Sequence, residues 1–369
     1  MSAGIAVRAA LLTETPGALA IEDLRVDDLL EPSDVRVRVV ASGLCQSDLH
    51  ALKGTLPTPL PTVPGHEVAG YVEAVGVDVA HVEVGDYVVA CQSMFCRACR
   101  ECLVGRTWLC ERRWALARPD RSRPRLRRGA EPVSQLAGIG GFAEQVLVHA
   151  SGVVRIPEEV PAEVACLLGC GVMTGVGSAI NGARIRPGET VAVIGCGGVG
   201  LNVVQGARLA GAGQIVAVDL SAAKLDLARR FGATHVVDGS APDAVTDVRE
   251  LTAGGADHVF DVVGVPATLA DALRMLRAGR TAYLVGVPPA GVSLELPGLD
   301  LLVQAKGVQA LLMGSNHFHR DIPMLARLYL EGRLELDALV AERLPLERVN
   351  EGFDLMRAGG AARVVLTLG

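Results

Sequence analysis

The sequence predicts an α/β protein in which a doubly wound parallel sheet is joined to a second, β-rich domain. Three observations carry this. From about residue 188, short apolar strands alternate with helical segments. A glycine-rich turn links the first of those strands to its helix. Residues 1–155 instead read as short strands and proline-punctuated loops. A chain of 369 residues is long enough for two domains. Half of its residues are hydrophobic but only 3% are aromatic, so the core must rest on Val, Leu, Ile and Ala.

In the first half, VRVRVVASG (35–43) and DYVVACQ (86–92) have strand composition, while PTPLPTVPG (57–65) is a proline-rich loop. Glu14, Glu22 and Asp23 interrupt any apolar leader, so the N-terminus does not read as a signal peptide. The run Val164–Ala183 is uncharged and of membrane-spanning length. It is rich in glycine, contains Thr174, Ser178, Asn181 and two cysteines, and is followed at once by charge. It is therefore expected to be a buried segment rather than a membrane span.

TVAVIG then forms a strand, and VGLNVVQGARLAGA a helix. QIVAVDL and SAAKLDLARRFGA repeat the pattern, and HVVD, DHVFDVVG, TAYLVGV and VQALLMG complete six strands. The tail holds two helical stretches, IPMLARLYLEGRL and RVNEGFDLMRAGG, and a last strand, RVVLTLG.

Gly195, Gly197, Gly198, Val199 and Gly200 lie in a G-x-G-x-x-G motif between that first strand and its helix. In this context the first glycine makes the turn, the second admits a pyrophosphate and the third packs helix on sheet. The helix N-terminus offers free N–H groups to the phosphates. Asp219 ends the second strand 19 residues on, where a carboxylate meets the adenosine ribose hydroxyls. A carboxylate there repels a 2′-phosphate, which favours NAD over NADP. Lys224 lies one turn into the next helix, within reach of the same ribose. These features identify the six-stranded half as a Rossmann domain.

Cys96, Cys99, Cys102 and Cys110 follow C-x2-C-x2-C-x7-C. Four thiolates so spaced suit tetrahedral zinc, and a set without an obvious open position is structural. Disulfides are the alternative, disfavoured because nothing else in the chain looks secreted. A reducing cytoplasm is the expected home. Cys91, Cys166 and Cys196 read as buried thiols.

The net charge of −6 argues against general nucleic-acid binding. Residues 106–128 nevertheless carry nine arginines and a local charge of +7, leaving −13 for the rest. The stretch reads either as a loop that is solvated or paired with nearby acids, or as a guanidinium cluster for an anionic substrate or a partner subunit.

Cys45 in ASGLCQSDLH, His66 in PTVPGHEVAG and Cys170 in ACLLGCGVMTG are unremarkable singly. Together with GHE, the four-cysteine lobe, IGCGGVGLN and VNEGFDLMRAG, they give a chain that resembles, along essentially its whole length, the zinc-dependent medium-chain dehydrogenases typified by liver alcohol dehydrogenase. The resemblance implies a GroES-like catalytic domain over 1–171 and 313–369, with the zinc lobe at about 91–112, and a Rossmann NAD-binding domain over 172–312.

It also implies that Cys45, His66 and Cys170 hold a catalytic zinc, giving two zinc ions per chain. Glu67 lies just behind the metal, as an alternate ligand or a nearby charge, and Asp48 orients His66. The alcohol becomes a zinc-bound alkoxide that gives its hydride to NAD, while Ser47 and His50 relay the proton through the cofactor ribose. Thr174 is placed beside the nicotinamide, Val285 in the cofactor site, Arg363 with the pyrophosphate and Leu56 in the substrate channel. The active site is expected in the cleft between domains, and the assembly as a homodimer or homotetramer.

Three departures bear on substrate class. Gln46 stands where relatives often carry Arg or His against the pyrophosphate, Gln92 stands near a usual pocket aromatic, and residues 106–128 are unusually basic. The alternatives are a thiol-dependent formaldehyde dehydrogenase acting on an S-hydroxymethyl adduct and a zinc-free C=C reductase. The intact ligand trio argues against the latter, and equally against a catalytically silent NAD-binding protein.

Overall fold

Valine and alanine dominate the strands of both halves, and with so few aromatics the interior is built from many small contacts. Each fully buried Val or Leu contributes about 1.5–3 kcal/mol of burial free energy. The computed structural model describes residues 4–118, 123–359 and 362–368. They form two units, Met1–Cys170 with His317–Gly369, and Gly171–Asn316.

The first unit holds two sheets. In the larger, the order is Val153–Arg155, Tyr87–Ala90, Glu67–Val75, Asp34–Gly43, Arg363–Thr367 and Val340–Pro345, with Gln145–His149 also paired to Asp34–Gly43. The smaller contains Ile5–Leu11, Ala20–Val26, Leu126–Arg128, Glu131–Gln135 and Thr62–Val63. One core, including Val37, Val39, Val68, Phe142, Leu147 and Phe353, packs against these strands. The register Gly43↔Glu67 brings the ends of two strands together beside the segment that carries Cys45.

The second unit is a six-stranded parallel sheet. Its strands are β1 (Thr190–Ile194), β2 (Gln214–Asp219), β3 (His235–Asp238), β4 (Ala256–Asp261), β5 (Leu276–Leu284) and β6 (Gly307–Ala310). The order is β3-β2-β1-β4-β5-β6, so the chain reverses direction across the sheet between β1 and β4. Helix α1 (Gly198–Leu209) follows β1, and α2 (Ala222–Phe231) follows β2. Ligands of such sheets bind at the carboxyl ends of the strands beside this reversal.

The apolar run is a helical segment, Ala162–Gly182, most of which is buried in the protein. Its apolar surface is consumed by packing. It widens into π-turns at Leu168–Val172 and Ser178–Gly182. The first of these carries Cys170, and such bulges often mark functional positions.

Of the nine arginines in 106–128, Arg121 lies outside the described residues. Arg125, 3% exposed, donates from Nη2 to Asp34 Oδ1 at 3.0 Å. Arg118 contacts Asp34, Asp27 and Glu31. Arg123 reaches the same Asp27 and Glu31, Arg106 pairs with Glu101, and Arg128 pairs with Glu22 and Glu131. The local excess of positive charge is thus largely met by the chain's own carboxylates.

Candidate active site

Asp48 organises the first group that could hold a metal. Helix Gln46–Leu52 starts immediately after Cys45, and Asp48, at its third position, turns back into the protein. One carboxylate oxygen accepts from the Cys45 backbone N–H at 3.0 Å. The other accepts from the Gly65 N–H at 2.9 Å and lies 3.2 Å from His66 Nδ1. A fully buried carboxylate therefore ties together the two segments that carry Cys45 and His66.

With Nδ1 committed to Asp48, His66 presents Nε2, which is buried and has no hydrogen-bond partner among the described residues. Nε2 belongs to a group formed by Cys45, His66, Glu67 and Cys170, whose ligand atoms all lie within 4.8 Å of one another. A buried imidazole nitrogen left over beside two thiols fits a metal, because both sulfur and imidazole are zinc donors. Burial lowers the His66 pKa, but the Asp48 and Cys45 charges outweigh it and hold the group well above its usual range. Hydrogen bonding from Cys170 holds the Cys45 thiol well below its ordinary value, and Cys170 is raised correspondingly. The pair favours one proton between two sulfurs, which metal binding would displace.

Glu67 is fully buried beside this group. Burial raises its carboxyl to about 7 even though the Arg363 charge opposes the rise. Arg363 Nη2 lies 3.0 Å from Glu67 Oε1, and Nη1 donates to the Leu44 carbonyl at 3.2 Å. The side chain expected at a pyrophosphate is thus buried against the metal-site glutamate in this structure. Gly43 makes room for that glutamate, since a Cβ there would collide with Glu67 Oε2. Neither the Gly43 contact nor the Glu67–Arg363 pair has a local sequence signal, because both depend on strand register.

Ser47 and His50 stand three residues apart on helix Gln46–Leu52, so they share a face. Both are half-buried, and His50 Nδ1 lies 2.9 Å from Thr55 Oγ1. Gln46 is exposed at the start of the same helix. Leu56 is half-buried just beyond it, and Gln92 is half-buried after strand Tyr87–Ala90.

The four-cysteine lobe is a second donor set. Cys96, Cys99, Cys102 and Cys110 place their sulfurs within 4.8 Å of one another. The Cys96–Cys102 and Cys99–Cys110 separations are both 4.0 Å. Four sulfurs about 2.3 Å from a central ion form a tetrahedron with edges of about 3.8 Å. A disulfide would need about 2.05 Å. Donor chemistry and spacing both fit zinc.

In the Gly171–Asn316 unit, the glycine motif follows β1. Gly195 has φ +95°, a turn conformation that suits glycine, and a Cβ on Gly200 would strike the Gly195 carbonyl. Gly197 differs, because nothing lies within 4 Å of its Cβ position. This is the open approach that a pyrophosphate requires. Gly198 and Val199 begin α1. At the end of β2, Asp219 accepts from the Cys196 N–H at 2.7 Å and the Ser221 N–H at 3.0 Å. These bonds hold the carboxylate beside the motif and leave it lone pairs for ribose hydroxyls. Lys224 is in the first turn of α2. Val285 follows β5 and donates its N–H to the Asp261 carbonyl at 2.9 Å, while Thr174 is buried with Oγ1 3.8 Å from Met313 Sδ.

The model for the alcohol dehydrogenase GroES-like domain matches residues 31–158, and that for the zinc-binding dehydrogenase matches residues 198–329. The chain is similar to an alcohol dehydrogenase zinc-binding domain protein from Burkholderia ambifaria, with 35% identity over 99% of both chains and a TM-score of 0.94. It is similar to benzyl alcohol dehydrogenase from Acinetobacter calcoaceticus, with 30% identity, 99% and 100% coverage and a TM-score of 0.93. A zinc-binding dehydrogenase from Sinorhizobium meliloti 1021, bound to NADP, matches at 28% identity, 98% and 99% coverage and a TM-score of 0.81.

Proposed function

This chain belongs to the zinc-dependent medium-chain dehydrogenase family, and we propose that it transfers a hydride between an alcohol and NAD, giving an aldehyde or ketone. The observation that carries the proposal is the Cys45, His66 and Cys170 donor set with its unpartnered, buried His66 Nε2. Three protein donors leave a fourth position for substrate, as in catalytic rather than structural sites. When bound, zinc supplies a Lewis acid that lowers the pKa of an alcohol oxygen, and NAD supplies the hydride acceptor.

The chain's own groups do the rest. Asp48 holds His66 in the tautomer that presents Nε2. Glu67, whose carboxylate lies with the three donors, is paired with Arg363. Ser47 and His50 carry the alcohol's proton toward the surface. Asp219 takes the adenosine ribose hydroxyls and disfavours a 2′-phosphate, which is the basis for choosing NAD.

The four-cysteine lobe would hold the second zinc, and both sulfur sites suit a reducing cytoplasm. A homodimer or homotetramer is supported by edge strand β6 and by exposed Leu299, Leu302 and Val303 beside it. The formaldehyde reading gains no support from the basic stretch, whose arginines pair largely within the chain.

The test is cofactor reduction across short, long and aromatic primary alcohols, secondary alcohols, and formaldehyde with and without a low-molecular-weight thiol. Each is run with NAD and with NADP. Turnover of simple alcohols with NAD, abolished in C45S while NAD binding survives, is expected. Turnover only of formaldehyde with a thiol would replace this reading with the thiol-dependent one.

A further inference from the structure

The helix that carries His50 is followed by a turn closed by the His50 carbonyl, which accepts the Thr55 N–H at 3.0 Å and the Leu56 N–H at 3.1 Å. The turn swings the Thr55 side chain back onto the ring. Its hydroxyl lies 2.9 Å from His50 Nδ1 and 3.2 Å from the His50 carbonyl oxygen. Nε2 makes no hydrogen bond among the described residues. Burial, reinforced by the Lys53 charge, lowers the His50 pKa, so the ring is neutral near pH 7 and carries one proton on one of its two nitrogens.

A neutral imidazole can take a proton at Nε2 only if its own hydrogen sits on Nδ1. That hydrogen needs an acceptor, and Thr55 Oγ1 is in place to be one. A hydroxyl that accepts at its oxygen still needs somewhere to direct its single hydrogen, and the His50 carbonyl 3.2 Å away provides it. The run Nδ1–H to Oγ1, then Oγ1–H to the carbonyl, is complete and leaves the Nε2 lone pair free.

We propose that Thr55 is a positioning residue that holds His50 in the Nδ1–H tautomer and reserves Nε2 for the proton leaving the substrate. The inference rests on the reading of His50 as the proton carrier. In the step it serves, the upstream O–H bond breaks as the Nε2–H bond forms, and the imidazolium then gives a proton to water. The electron pair of the broken O–H bond stays on oxygen, so no oxidant or reductant is needed here. Neither Thr55 nor its contact with His50 stands out in the sequence, where GTLPTP reads only as a turn.

The experiment is a double-mutant cycle on the zinc-loaded enzyme, with T55V, T55S and H50Q and the T55V/H50Q pair, measured as kcat for alcohol oxidation at neutral pH. T55V should lower kcat about two- to ten-fold, the factor carried by one lost neutral hydrogen bond. T55S, which keeps the hydroxyl, should restore it, and T55V should cost nothing further in the H50Q background. The same T55V loss without His50, or no rescue by serine, would overturn the assignment by making Thr55 merely a turn residue. If H50Q alone leaves kcat unchanged, the proton-carrier role of His50 fails and takes this inference with it, while the donor set's own test stands separately.

Discussion

Replacing Asp48 by asparagine isolates what the carboxylate does, because the side chain keeps its shape and loses only its charge and one acceptor. The aspartate accepts from the Cys45 and Gly65 N–H groups and faces His66 Nδ1. The amide can keep its oxygen on Gly65 and His66, but its NH2 must then point at the Cys45 N–H, donor against donor. The opposite orientation sets the NH2 against two donors and is worse. One unsatisfied buried donor pair costs about 1–3 kcal/mol, and the surviving bonds lose their charge assistance.

The loss falls on the segments carrying two ligands, so zinc affinity and kcat should drop about 10- to 100-fold, as for other groups that orient a metal ligand. The assay is zinc retention at the Cys45 site against a graded chelator, with kcat measured on protein reloaded with zinc. Zinc in the four-cysteine lobe serves as the internal control. Unchanged chelator sensitivity and kcat would refute the orienting role. Loss of lobe zinc together with the fold would show instead that Asp48 is a global stability residue.

Gly197→Ala should fold normally, because its Cβ meets nothing and its φ of −77° suits alanine, yet it should weaken NAD binding measured by titration; undiminished binding would place the pyrophosphate elsewhere. Arg125→Ala should destabilise the protein by about 3 kcal/mol in chemical denaturation, since it removes one of the two guanidinium groups paired with buried Asp34, with KM unchanged. A raised KM for an anionic substrate at unchanged stability would instead restore the anion-site reading.

Glu189 is opposed by burial, but the His258 hydrogen bond, the Arg186 N–H and Arg280 bring it down to about 2 from an ordinary 4.5. A depressed carboxyl stabilises the fold above its unfolded pKa and loses that contribution as pH falls through the folded one. On this basis about 3 kcal/mol should disappear between about pH 5 and pH 2. Urea unfolding of E189Q should lack that part of the decline, and an identical slope would remove Glu189 as its source.

Features set by a few adjacent residues could be read directly from the chain. Strand–turn–helix alternation and the glycines from Gly195 to Gly200 specify the Rossmann half, because turn conformation and close approach are properties of a few adjacent residues. The spacing of Cys96 to Cys110 likewise puts all four donors within one lobe. The proposed catalytic donors were legible only through resemblance to a family, since Cys45, His66 and Cys170 are far apart in the chain and individually ordinary.

Tertiary structure alone decided the rest. The register between strands Asp34–Gly43 and Glu67–Val75 that sets Gly43 opposite Glu67, the placing of Arg363 against that glutamate and the pairing of Arg125 with Asp34 all join residues distant in sequence. Even the five-residue step from His50 to Thr55 needed coordinates. A hydrogen bond depends on direction to within a few tenths of an ångström, and composition and spacing carry no such directional information.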